Sequence, residues 1–137
     1  MIVLREQVVQ EARSWLGTPY QHQGRLKGVA VDCIGLLACV AHALGLSDAD
    51  MLDYGKRPDG RLRPTLEEHL ESIPILDAYT ADVLLFSWSS VPVHIGILTS
   101  RDYFIHAYLP NRKVVESRLD ATFRAHVTNA YHIPGVV

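Results

Sequence analysis

The sequence predicts an α+β fold in which N-terminal helices, one of them headed by a cysteine, pack on an antiparallel sheet of about five strands. Three observations carry that prediction. An apolar stripe at helical spacing opens the chain, a nearly all-apolar run spans Cys33 to Leu44, and five short β-rich segments follow Pro74. Helices first and closely spaced strands afterwards are the pattern of segregated α and β layers.

Leu4, Val8, Ala12 and Trp15 recur at spacings of four, four and three, which lines one face of a helix that stops at Gly17 and Pro19. The stretch QHQGRLKGVAV reads as a polar loop leading to Asp32. Asp32 can cap a second helix from Cys33 to about Leu44, with Gly45 as its stop. His42 is its one strongly polar side chain, and a helix apolar all round belongs in the interior. Residues 47–63 mix Asp, Gly, Pro and Arg without period and are expected to form an irregular loop able to flank a site. In PTLEEHLESI, Thr65 and Glu68 are spaced as a capping box for a short helix. The strand candidates are 82–86, 93–98, 103–108, 113–117 and 126–133.

At 137 residues and 48% hydrophobic content, one domain spanning 1–137 is expected. A formal charge of -2 gives no basic field for a phosphate backbone, which argues against a nucleic-acid partner. No apolar segment approaches the roughly 18 residues that span a bilayer. Arg5 and Glu6 interrupt MIVLREQ where a secretion signal needs its apolar stretch, so synthesis in the cytoplasm without a signal peptide is expected. Cys33 and Cys39 lie six residues apart, about 600° around a helix, and are read as free thiols.

The chemistry centres on Cys33. At the first turn of a helix, unpaired backbone N–H groups and the helix dipole favour negative charge, a setting expected to stabilise a thiolate. A partner base is then needed, and VHIGIL and FIHAY supply His94 and His106. Val93, Ile95 and Ile97 share one strand face and read as core, while His94 shares the other with Gly96, which is expected to leave space beside the imidazole. A hairpin loop centred near Ser100 would set His94 opposite His106 or its immediate neighbour. A half-residue change in that centre would turn His106 to the other face, and the sequence leaves both registers open. With the favourable register, the three side chains form nucleophile, base and orienter. Cys39 reads as an inert core thiol, and His22, His42, His69, His126 and His132 as structural or surface residues. A zinc site on Cys33, His94 and His106 lacks the paired ligand spacings such sites show, so no metal or cofactor is expected.

Together, WLGTPYQHQGRLKGVAVDCIGLL, ADVLLF, HIGIL and FIHA resemble, in order and spacing, the motifs of the NlpC-type cell-wall peptidases, from about Val8 to Pro134. HQGRLKG, DCIGL and AYHIPG resemble the phage and prophage tail-associated branch of that family. The resemblance implies a papain-like fold and hydrolysis of an amide in peptidoglycan stem peptides, commonly the γ-D-glutamyl bond to a diamino acid. Cys33 would be the nucleophile, His94 the general base and later acid, and His106 the orienting residue. Tyr20 would line the cleft, and Asp32 would pair with a free stem-peptide amine. Many family members have serine after the cysteine, where this chain has Ile34. Phage tail proteins are the partners implied, with action at the cell wall after delivery in a tail or on lysis. Two alternatives stand beside this reading: a catalytically silent tail component of the same fold, and a cysteine amidase or acyltransferase acting on another small substrate.

Overall fold

The computed structural model describes residues 2–137. Its helices are α1 (Arg5–Arg13), α2 (Cys33–Ala43), α3 (Leu62–His69) and the short α4 (Ala121–Arg124). Its strands are β1 (Arg25–Leu26), β2 (Ala30–Val31), β3 (Glu71–Ile73), β4 (Val83–Phe86), β5 (His94–Leu98), β6 (Tyr103–Tyr108), β7 (Lys113–Arg118) and β8 (Val127–His132). The last six form one antiparallel sheet in the order β3-β8-β4-β5-β6-β7. The α+β architecture is therefore as the sequence predicts, with six strands rather than about five. The added strand, β3, is a three-residue edge whose burial does not alternate, so it carries no period to read.

Both faces of the sheet are covered. Val83, Leu85, Ile95, Ile97 and Ile105 point toward the helices and pack with Val8, Ala12 and Trp15 and with Leu36, Leu37 and Val40 of α2. Leu84, Phe86, Leu98 and Phe104 point the other way and are sealed by Ala78, Leu119 and Phe123. The period-two alternation of β4 and β5 thus feeds two clusters rather than one core and one solvated face. This is why β4 and β5 are buried along their whole lengths.

Local differences from the sequence expectations have local causes. The polar loop before Asp32 contains the small hairpin β1–β2, with Arg25 opposite Val31 and Leu26 opposite Ala30. Helix α3 starts at Leu62, three residues before Thr65, whose hydroxyl donates to the Arg61 carbonyl at 2.7 Å instead of capping the helix. Pro64 is tolerated because it lies in the first turn, where its missing N–H has no intrahelical acceptor. Among the described residues, no helix is long and apolar enough to cross a membrane.

Candidate active site

Strand β2 delivers the chain to Asp32, whose extended backbone and carboxylate cap α2. Its Oδ1 accepts from the Gly35 N–H at 2.8 Å. Cys33 follows at the first helical position, so its own N–H has no intrahelical acceptor. Across from it, β5 and β6 pair only at Ile97 with Ile105 and Leu98 with Phe104, and part toward the start of β5. Cys33 stands at that opening, its Sγ 4.0 Å from the Val93 carbonyl oxygen. A cleft of about 390 Å³ is lined by Tyr20, Cys33, Trp88, Val93, His94 and Tyr108, among others.

His94 and His106 form a buried pair, Nε2 of the first lying 2.8 Å from Nδ1 of the second. The ladder pairs residues whose numbers sum to 202, which centres the hairpin on Arg101 and, continued outward, sets Tyr108 opposite His94 and His106 opposite Gly96. The register is thus shifted by two from direct opposition. A shift of two preserves the face, so the rings meet diagonally. The space expected beside Gly96 is filled: a Cβ there would lie 2.6 Å from Phe104 Cδ2 and 3.3 Å from Phe86 Cε1. His106 is walled by Phe104, Tyr108 and Phe123, with ring centroids at 4.2, 4.6 and 5.6 Å, and its Nε2 lies 2.9 Å from Ser117 Oγ. Burial pushes the His94 imidazole down to about 3 and, together with the neighbouring His94, pushes His106 down to about 2. Both rings are neutral at pH 7, and among the described residues no hydrogen bond forms at His94 Nδ1.

The thiol departs from the sequence expectation. Burial pushes Cys33 up to about 12 and the adjacent Asp32 carboxylate adds to the shift, while backbone hydrogen bonds at Ile95, Ile34 and Cys33 itself pull the other way. The helix terminus is present as expected, but the loss of solvent outweighs it. Burial thus favours a neutral thiol beside a neutral imidazole. The half-buried Tyr20 phenol, on the same cleft wall, is also pushed up to about 12, by burial first and then by Cys33 and Asp32.

Asp32, 2% exposed, is the hub of a wider network. Besides Gly35 N–H, its Oδ1 accepts from Arg25 Nη1 at 3.0 Å, and its Oδ2 accepts from Gln23 N–H at 2.7 Å and from the Tyr54 hydroxyl. Its two oxygens offer about four acceptor positions and meet four donors. Pairing with a substrate amine, expected from its place beside Cys33, would have to displace one of them. Residues 47–61 do flank the site. Gln23 Nε2 donates to the Leu52 and Tyr54 carbonyls at 2.7 Å each, Arg25 Nη2 donates to Met51 at 2.9 Å, and a second cleft lies between Cys33 and the segment 54–60. Tyr54, Arg25, Ser117 and Trp88 escaped the sequence reading. For Ser117 the signal was available in the β6–β7 register, since Phe104 pairs with it and His106 lies two residues along the same face. Nothing in the sequence says that Tyr54 returns to Asp32.

No protein-family model matches the chain, and no curated protein sequence matches it. Solved structures do. The NlpC/p60 domain of the peptidoglycan hydrolase SagA superposes with a TM-score of 0.70 at 21% identity, over 94% of this chain and 98% of that one. A lipoprotein-like protein of the NLP/P60 family from Staphylococcus aureus superposes with a TM-score of 0.70 at 19% identity, over 94% of this chain but only 41% of the longer protein. RipD from Mycobacterium tuberculosis, described as a non-catalytic NlpC/p60 domain protein adapted to peptidoglycan binding, superposes at 0.64 and 13% identity, over 93% of this chain and 95% of that one. What these likenesses establish is the fold, and the chain has the papain-like architecture of the NlpC/P60 proteins.

Proposed function

We propose that residues 1–137 form a single NlpC-type cysteine peptidase domain that hydrolyses an amide bond of peptidoglycan stem peptides. One observation carries this reading: Cys33 heads the central helix on the wall of the same cleft that His94 lines, with His94 tied to His106 on its far side. Because both groups rest neutral, the chemistry is general-base catalysis rather than attack by a standing thiolate. The Cys33 sulfur attacks the scissile carbonyl carbon as its proton passes to His94 Nδ1. The tetrahedral oxyanion is held by the free N–H of Cys33, a donor fixed in place by the Asp32 cap. Collapse of the intermediate expels the amine, which takes the proton from His94. Water, deprotonated by the same nitrogen, then hydrolyses the thioester. Tyr20 walls the cleft, and Asp32 keeps Cys33 and the segment around Tyr54 in register.

The finer reading is cleavage of the γ-D-glutamyl bond to a diamino acid by a hydrolase acting at the cell wall after delivery in a phage tail or on lysis. The bond follows from the family motifs and the phage tail from HQGRLKG and AYHIPG. Mass spectrometry of defined stem peptides and muropeptides, incubated with wild type and Cys33→Ala, tests the reaction. Cleavage after D-glutamate that disappears in the variant is the expected result. The raised thiol favours a second reading, a wall-binding domain without turnover, as in RipD. Retention on insoluble peptidoglycan with no product from any stem would establish it. Finding the chain in purified tail particles would test its delivery.

A further inference from the structure

The hydrogen-bonded chain that begins at His94 does not end at His106. His106 Nε2 continues to Ser117 Oγ at 2.9 Å, and His106 is otherwise enclosed by Phe104, Tyr108 and Phe123, with no carboxylate among its hydrogen-bond partners in the described residues. A neutral imidazole has one donor and one acceptor nitrogen, so two linked rings and a hydroxyl can order their protons in two ways. In one, His94 Nε2–H donates to His106 Nδ1, and His106 Nε2–H donates to Ser117. In the other, Ser117 O–H donates to His106 Nε2, His106 Nδ1–H donates to His94 Nε2, and the remaining His94 proton sits on Nδ1. The first leaves a lone pair on Nδ1, able to accept the thiol proton; the second fills that position.

We infer that Ser117 is a positioning residue: by accepting the Nε2 proton of His106, it holds both rings in the order that leaves His94 Nδ1 free as a base. Ser117 is only half-buried, so its own hydroxyl proton can turn to solvent while Oγ accepts. The opposite order would set an N–H against a protonated thiol. This rests on the reading of His94 as the base, but the proton order is measurable without substrate.

The test is long-range proton–nitrogen NMR of histidine ring nitrogens at pH 7, with iodoacetamide labelling of Cys33, in wild type, Ser117→Ala and Ser117→Thr. The expected wild-type pattern is Nε2 protonation of both His94 and His106. In Ser117→Ala, signal should move toward Nδ1 protonation, and Cys33 labelling should slow about tenfold, part of the roughly 10²–10⁴ that a positioned base contributes. The threonine hydroxyl should restore both. Unchanged ring signals and labelling in Ser117→Ala would overturn the inference, as would Nδ1 protonation of His94 in the wild type. Failure of the peptidase reading would show separately, as stem peptides left intact by the wild type while the ring signals keep the expected order.

Discussion

At Cys33 two effects oppose each other on one sulfur, and their sizes decide the outcome. A helix N-terminus contributes about 0.3–1 kcal/mol to a nearby negative charge, up to ~2 kcal/mol in partly buried geometry. Full burial shifts an acid by up to about 3–5 pKa units, each worth about 1.4 kcal/mol. On these magnitudes burial outweighs the helix terminus, the direction in which Cys33 is pushed, up to about 12. Iodoacetamide should therefore label Cys33 in the ligand-free protein slowly at pH 7, more slowly than a free thiol, with a rate still climbing above pH 9. A rate that levels off near neutrality would mean a standing thiolate–imidazolium pair and would sink this account. The place of Cys33 beside a capping Asp32 was legible in DCIGLL, but the direction of the thiol's shift was not, because burial depends on what packs across the strand opening. Asp32 makes a companion case. As a bare cap it would be worth about 1 kcal/mol, but it also holds Arg25, Gln23 and Tyr54. Asp32→Ala should cost well above that, read as a fall in the urea midpoint, whereas a loss of 1 kcal/mol or less would make those contacts incidental.

At the scale of elements, α2 is held by contact at its head as well as by its apolar sides. A Cβ on Gly35 would collide with the Gly24 carbonyl oxygen and lie 2.6 Å from Arg25 Nη1. The first obstacle is backbone, so Gly35→Ala must push α2 away from the loop before β1. A cost of roughly 1–3 kcal/mol is expected, as for overpacking generally, and thermal unfolding would report it. Residues 47–61 are held differently, by a few polar ties, of which Tyr54 to Asp32 is one. Tyr54→Phe should leave the helices intact and speed tryptic cleavage after Lys56. Equal cleavage rates would show that Gln23 and Arg25 suffice to hold the segment. That 47–63 is irregular could be read from its Asp, Gly and Pro content. That it folds over the cleft could not, because the ties join side chains to carbonyls far apart in sequence. The β5–β6 hairpin lies between these cases. Its strands were readable from HIGIL and YFIHAY, but the centre of its loop, which sets how His94 meets His106, depends on how Thr99 and Tyr103 close the turn.

Over the whole molecule, the α+β order was legible because α1 and α2 carry helical apolar patterning and the strands follow in one block. The sheet order was less so: β8 inserts between β3 and β4, pairing with residues more than 40 positions away in the chain, which no local pattern encodes. The same enclosure of the sheet on both faces buries most of the two histidines and ties their protonation to folding. An unfolded histidine binds its proton near pH 6.5, whereas folded His94 waits until about 3 and His106 until about 2. Between those limits the unfolded state binds more protons, so stability is fully present above about pH 6.5 and is lost as pH falls. The slope should approach about 1.4 kcal/mol per pH unit for each histidine. Glu67 and Glu116, both lowered chiefly by side-chain hydrogen bonds from Arg63 and Arg13 respectively, add their own loss only below their ordinary value of 4.5. The window from pH 6.5 to 5 therefore isolates the imidazoles. Urea unfolding across it should show a steady fall in midpoint for the wild type and a flatter line for His94→Gln and His106→Gln. A wild-type midpoint that is level from 6.5 to 5 would mean that both rings gain their protons inside the fold as readily as in the unfolded chain, and that burial does not hold the pair neutral.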